Sequence, residues 1–499
     1  MGASGTARRI TTLGVFILAV VLLGGTAFGK ANSVILLIGD GMGQVQVRAA
    51  SIRLKGSDGK MAMQSMPAKG TLVTLNAEKE VTDSAAAGTA LATGNKTKNG
   101  MISTAPDGRI LRTILEACRD SGKATGLVVT SVITDATPAV FGSHVPSRGS
   151  QYEIAGQLIG SRVNVLFGGG RKYFGTAKAG EYIGLDILDK KGKKLLWIKD
   201  FIDWTEYREA ERGLALPAGA AKANIWAWRD NGAIPGYLDD VSLIGKDKKG
   251  KETGNLAVNA DFEKGDLSGW TPWSACEIAE DGGSKALKIG AGGLNQEVAL
   301  KGLNELTLTY RSRVGAANAA VQPIDEARKA GYQVIGNKDE LPGASGKYVL
   351  GLFKPDALET KDDEPSISDM AAKAIDLLGA GPNGFFLMVE GSQIDWANHG
   401  NDEKYFLREI GNFDAAVATA LEYAAKKGDV LVVVCADHET GGMSMKGEGA
   451  AMKIVYSTKG HTGTPVPMFA YGPGSQKFAG AHDNTDVSKL IAEELGLKL

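Results

Sequence analysis

The sequence predicts an α/β fold: a three-layer sandwich with a largely parallel central sheet, interrupted by an inserted all-β domain. Three observations predict it. Short apolar runs rich in β-branched residues recur at 34–38, 125–130, 163–167, 385–389, 430–435 and 468–471, as buried parallel strands require. Alanine- and leucine-rich stretches of helical periodicity separate most of them, at 84–92, 111–120, 368–378 and 407–427. Between 175 and 314 this alternation stops, giving way to short strands and turns rich in glycine, aspartate and lysine. Six of the seven tryptophans fall there: Trp197, Trp204, Trp226, Trp228, Trp270 and Trp273.

The first 29 residues have the layout of a secretory signal. Arg8 and Arg9 precede an apolar run at 13–23, then the small-x-small site Ala27-Phe28-Gly29 before Lys30. The apolar run is short for a bilayer span, so cleavage and an exported protein, periplasmic or extracellular, are expected; an uncleaved anchor is the alternative. The rest divides into a discontinuous α/β domain, 30–174 and 315–499, and an inserted β-sandwich, 175–314. A helix at 324–330 resumes the host. With 56 basic and 57 acidic side chains, the chain has no overall field to draw in nucleic acid or an anionic membrane. Cys118 and Cys435 lie in apolar patterns, read as buried small hydrophobes rather than disulfide partners.

Ligands of such folds gather at the carboxyl ends of the strands, so the polar groups delivered there are the candidates for chemistry. The first strand ends in Gly39-Asp40-Gly41-Met42-Gly43, a carboxylate among glycines that permit close approach. The run 385–389 ends in Glu390, followed by Asp395 and His399, whose spacing places both side chains on one helical face around a cation. The run 430–435 leads to Asp437-His438, and His461 lies in a loop before the last predicted strand. Imidazole with carboxylate suits zinc, and all-oxygen positions suit magnesium. Asp83-Ser84 opens an alanine-rich helix, whose free N–H groups and dipole favour an anion. Asp135-Ala136-Thr137 follows the run 125–130, and Arg148 offers a fork for two phosphate oxygens. Taken singly, each has a plain structural reading: turn residue, helix cap, solvated helix face or surface ion pair.

Together these motifs, in order and spacing, resemble the alkaline phosphatase family over roughly 31–174 and 324–490. The resemblance implies a metal-dependent phosphate monoester hydrolase. Ser84 would be the nucleophile, forming a phosphoserine intermediate, Arg148 the phosphate clamp, and Asp83 the residue that orients it. One Zn2+ would be held by Asp395, His399 and His461. A second would be held by Asp40, Asp437 and His438, with the Ser84 hydroxyl as fourth ligand. Mg2+ would take Asp40, Thr137 and Glu390, with Asp135 reaching it through water. Where some bacterial relatives carry lysine after the zinc-binding aspartate, this chain has Trp396, which implies weaker holding of phosphate.

Within the insertion, Asn255 to Glu263 continuing to Gly269-Trp270 resembles the opening of carbohydrate-binding jelly-roll modules, and Tyr237 to Leu243 resembles their closing strand. The reversed order implies one circularly permuted jelly roll; two truncated modules in tandem are the alternative. Trp226 and Trp228 alternate on one strand face, as a glycan-stacking platform or as filling for the sandwich core. Asp240 or Glu263 would serve a structural Ca2+. A homodimer remains open. Competing functions are phosphodiester hydrolysis in the same superfamily and a glycan- or surface-binding protein. Sulfate-ester hydrolysis is disfavoured, because Ser84 lacks a C/S-x-P-x-R setting.

Overall fold

A computed structural model describes residues 29–174, 181–202, 206–229, 235–272, 276–281, 283–290, 292–314, 323–447 and 451–499. Nearly all of the predicted signal segment, together with Trp204 and Trp273, lies outside the described residues.

The continuous apolar runs become the inner strands of one ten-stranded sheet. From one edge the order is Gln333–Ile335, Val349–Leu352, Val165–Gly169, Ala124–Val132, Phe385–Gly391, Ser33–Gly39, Val430–Cys435, Val466–Tyr471, Ala68–Val73 and Gly480–Asp483. Only Val466–Tyr471 runs against the others. Ser33–Gly39 is buried throughout, at the centre, with Phe385–Gly391 and Val430–Cys435 in parallel register beside it. That placement brings Asp40, Glu390 and Asp437 to one end of three adjacent strands.

Helices cover both faces. Ser84–Thr93, Ala136–Gly142 and Asp486–Leu495 form one group, and Gln44–Lys55, Ile367–Leu378 and Glu403–Lys427 another. Burying apolar side chains from helices against both faces of the sheet produces one continuous core. Four strands are absent from the sequence reading: Gln333–Ile335 and Val349–Leu352 at one edge, only three and four residues long, and two at the other edge. Ala68–Val73 and Gly480–Asp483, at the far edge, are short and partly exposed, so neither presents an apolar run, and 468–471 is not the last strand. His461, expected in a loop, belongs to a two-residue strand, His461–Thr462, paired with Glu439–Thr440.

Between 181 and 314 the chain builds two five-stranded antiparallel sheets with a core of their own, including Ile183, Leu185, Ile225, Leu243, Phe262, Trp270 and Leu306. The segment resembling a jelly-roll opening forms turns rather than a strand. The Asn255 side chain binds the backbone of Val241 and Leu243 in the strand Gly236–Asp247, which contains the closing motif. Cys118 and Cys435 are buried free thiols, as expected.

Candidate active site

Asp83 occupies the N-cap of Ser84–Thr93, its carboxylate accepting from the Ala86 N–H at 2.9 Å. Ser84 is therefore the first residue of a buried helix, facing the strand ends. Its hydroxyl lies 3.3 Å from His438 Nε2. The same nitrogen is 3.5 Å from Asp40 Oδ1 and 3.3 Å from Asp437 Oδ2. The second predicted ligand set and the predicted nucleophile thus share one buried centre.

The first set gathers beside it. Gln393–Gly400 places Asp395 and His399 one helical turn apart, with His399 Nε2 3.2 Å from Asp395 Oδ2. His461 Nε2 approaches His399 Nε2 at 3.2 Å and Asp395 Oδ1 at 3.7 Å. Ring Nδ1 of His399 faces the Lys459 carbonyl, and that of His461 faces the Thr82 carbonyl at 2.8 Å. With Nδ1–H donating to a carbonyl, each ring turns the lone pair of Nε2 into the site.

Thr137 is buried in the helix Ala136–Gly142, whose N-cap is Asp135. Thr137 and Ser392 lie beside Glu390, where their hydroxyls favour its charged form. Arg148 spans the two caps: one guanidinium nitrogen donates to Asp83 at 3.2 Å and another to Asp135 at 3.0 Å. Trp396 stands beside Asp395, 38% exposed.

The donor set fits divalent cations on an observation independent of motif. Asp40 Oδ1, Glu390 Oε2 and Asp437 Oδ2 are buried oxygens with no hydrogen-bond partner, an arrangement costly in a folded protein unless a cation completes it. Burial, together with carboxylates such as Asp437, drives the Asp40 carboxyl well above its ordinary range. Burial and the charge of Asp135 push Glu390 up to about 8. His438 is held below the ordinary histidine value by burial, keeping it neutral, whereas hydrogen bonding to Asp395 raises His399 to about 9.

The sequence model of a family described as alkaline phosphatase matches residues 31–200 and 292–457. The chain belongs to the alkaline phosphatase family. It is an enzyme, a phosphoric monoester hydrolase. Alkaline phosphatase 3 of Bacillus subtilis is 27% identical, the alignment covering 93% of this chain and 89% of that protein. Alkaline phosphatase of Escherichia coli is 28% identical, with 94% and 87% covered. Streptomycin-6-phosphate phosphatase of Streptomyces griseus is 27% identical, with 94% and 91% covered. The solved alkaline phosphatase of the Antarctic bacterium TAB5 shares the fold, with TM-score 0.61, 24% identity and coverage of 94% and 99%. Residues 201–291 fall outside the alkaline phosphatase match.

The residues singled out from the sequence as nucleophile, phosphate clamp and metal ligands of the α/β domain lie together at this one end of the sheet, whereas Trp396 is placed there only by following Asp395 in the helix Gln393–Gly400. Two that were not singled out also belong to the site. The Thr440 hydroxyl donates to Asp395 and lies 3.3 Å from His438 Nδ1, and Glu439 is buried beneath both histidine-bearing segments. Their signal was their position directly after Asp437-His438. In the sandwich, Asp240 faces Arg311 at 3.4 Å while Glu263 accepts from the Lys285 N–H. Among the described residues, neither belongs to a group of three metal-type ligands.

Proposed function

We propose that this alkaline phosphatase family member hydrolyses small phosphate monoesters through a phosphoserine formed on Ser84, releasing an alcohol and inorganic phosphate. The observation that carries this reading is the Ser84 hydroxyl at a helix N-terminus, 3.3 Å from His438 Nε2. The helix amides and dipole favour the anion that phosphorylation creates. Arg148, held by Asp83 and Asp135, presents its fork to two non-bridging oxygens of the phosphoryl group. Asp395, His399 and His461 would hold one Zn2+, Asp40, Asp437 and His438 a second, and Asp40, Thr137 and Glu390 a Mg2+. Bound there, the cations supply Lewis acidity toward the serine hydroxyl, the leaving oxygen and a hydrolytic water. The twin arginine contact and the serine nucleophile favour monoesters over diesters. Export through the N-terminal signal and insertion of 175–314 as a separate domain are parts of the same reading.

The test is p-nitrophenyl phosphate hydrolysis at alkaline pH by wild type and Ser84→Ala, before and after EDTA and after repletion with zinc and magnesium. Activity recovered only in metal-replete wild type supports the reading. A metal-replete wild type without activity on the monoester but with activity on a diester analogue replaces it with the diesterase reading.

A second reading concerns the sandwich. In the strand Lys222–Arg229, Ala223, Ile225 and Ala227 join the core, so Trp226 and Trp228 stand on the outer face instead of filling the interior. The Trp226 ring lies over Gly184, where an added Cβ would come within 2.2 Å of it. Trp228, 37% exposed, stacks on Tyr182 at 5.5 Å. Asp186, Asn224 and Asn295 flank the rings, and Asp186 keeps one buried oxygen without a partner. Flat rings beside amide and carboxylate acceptors suit stacking and hydrogen bonding to a neutral sugar. Affinity electrophoresis in soluble polysaccharides tests it: retardation lost in Trp228→Ala supports binding, and unretarded migration of wild type in all of them removes it.

A further inference from the structure

We infer that Glu439, which touches neither proposed metal centre, is a positioning residue that sets the separation of His438 and His461. The inference rests on the two-zinc reading of the site. His438 immediately precedes Glu439, and His461 immediately precedes Thr462. Glu439 and Thr462 are direct partners in the short antiparallel pair formed by Glu439–Thr440 and His461–Thr462. So short a ladder has little hold of its own, because isolated pairings of this size are marginal in water.

What fixes it is the Glu439 carboxylate, almost fully buried, which gathers four donors from three further segments. Oε1 accepts from Gln46 Nε2 at 2.6 Å and from the Met443 N–H at 3.1 Å. Oε2 accepts from the Gly442 N–H at 3.2 Å and from the Thr462 hydroxyl. Gln46 is itself fully buried in the helix Gln44–Lys55, and the same amide reaches the Thr440 carbonyl at 2.9 Å. One carboxylate therefore ties the first helix, the turn after the paired strand and the strand carrying His461 to the residue beside His438. The approach leaves no spare room. A Cβ at Gly43 would come within 2.5 Å of Glu439 Cγ and of Gln46 Oε1.

The consequence is geometric. With this clamp the His438 and His461 rings stack at 3.6 Å and 21°, and the adjacent Thr440 hydroxyl reaches both Asp395 and His438. All four acceptor sites of the carboxylate face donors, so Glu439→Gln places an NH2 against another donor and breaks the tie on one side at nearly constant volume. His461 is the ligand most exposed to the loss, because its strand is held through Thr462. Removing the outer support of a metal ligand typically costs about 10- to 100-fold in metal affinity.

The experiment is a competition titration of zinc into the metal-free full chain with a chromophoric chelator, alongside thermal melts of the same metal-free samples. It compares wild type, Glu439→Gln, Thr462→Val and His461→Ala. Thr462→Val keeps the shape and removes the hydroxyl that donates to Glu439, together with its local bonds to Thr464, while leaving the Glu439 carboxylate in place, so it guards against a misfolded Glu439→Gln. The expected result is that both clamp variants weaken one zinc step about tenfold or more, the same step that His461→Ala weakens. Hydrolysis by the clamp variants should then recover at excess zinc, whereas that of His461→Ala should not. Unchanged zinc affinity in both clamp variants, with lowered melting of the metal-free protein, makes Glu439 merely structural and overturns the inference alone. Unchanged zinc affinity in His461→Ala overturns the two-zinc reading and the inference with it.

Discussion

The imidazoles of His438 and His461 lie nearly face to face, ring centres 3.6 Å apart and 21° from parallel. Burial holds His438 below the ordinary histidine range, so this member of the pair is the neutral imidazole that metal ligation requires.

Zinc uptake should accordingly depend on pH. Burial keeps His438 neutral below the ordinary histidine range, but Asp395 holds the proton on His399 up to about 9. Below that value a cation at the first centre competes with one proton, so apparent zinc affinity should rise roughly tenfold per pH unit from about 6 to 9. Chelator competition across that range measures it, and His399→Asn should flatten the slope. A pH-independent affinity in wild type contradicts the assignment of His399.

The stability of the metal-free protein should run the opposite way. Glu390 has its folded value raised to about 8 by burial and Asp135, and Asp40 is raised by burial and its carboxylate neighbours. Such groups bind more protons in the folded than in the unfolded state. Their contribution is full below the ordinary carboxylate value and is lost as pH rises through the folded value. EDTA-treated protein should therefore lose stability from about pH 5 to 8, by about 1.4 kcal/mol per unit for each proton involved. Zinc and magnesium should abolish the slope. Thermal melts at matched ionic strength decide it, and Glu390→Gln should stabilise the metal-free form at pH 8.

Much of this site was legible because the strands that deliver it are apolar without interruption. A run such as the one ending in Cys435 has few alternatives to a buried strand, and the polar residues just past it stand out. The paired strand carrying His461 is only two residues long and polar, below any periodicity a sequence can display, so it read as a loop. The role of Glu439 is not legible in the sequence, because its partners are backbone amides, Gln46 and Thr462, brought together only by the fold. Alternation put Trp226 and Trp228 on a common face, but which face was decided by Ala223, Ile225 and Ala227 packing inward.

Arg148→Ala should act chiefly on substrate and product binding. The guanidinium is already oriented by Asp83 and Asp135, so little ordering is left to lose when phosphate arrives. A charge-assisted contact contributes about 1.5–3 kcal/mol, equivalent to roughly a 10- to 150-fold rise in KM or in the inhibition constant for inorganic phosphate. Steady-state kinetics with phosphate inhibition measures both. A loss confined to kcat, with phosphate inhibition unchanged, would show that the arginine does not grip the ground state.

Trp396→Lys should tighten phosphate binding. The side chain sits next to Asp395 and is 38% exposed, so an added ammonium would feel solvent and contribute no more than about 0.2–1 kcal/mol, a factor of roughly 1.5 to 5. The gain should shrink at high salt. Product inhibition measured at two ionic strengths tests it, and an unchanged inhibition constant at the lower one means that Trp396 does not weaken phosphate binding.

Two glycines separate backbone strain from damage to the site. Gly41 adopts φ +67° just past Asp40, and a Cβ there would lie 2.8 Å from Asp395 Oδ1 and 2.8 Å from Thr440 Oγ1. Gly56 adopts φ +83° at the end of the helix Gln44–Lys55, with no atom within 4 Å of an added Cβ. Alanine at either position bears the left-handed penalty of about 1–2 kcal/mol. Only at Gly41 must a methyl displace a proposed zinc ligand and the hydroxyl that holds it. Gly56→Ala should therefore lower the melting temperature with zinc affinity and kcat unchanged, whereas Gly41→Ala should lower both and lose zinc at least tenfold. Equal zinc affinity in the two variants would count against the proposal that Asp395 is a ligand of the first zinc.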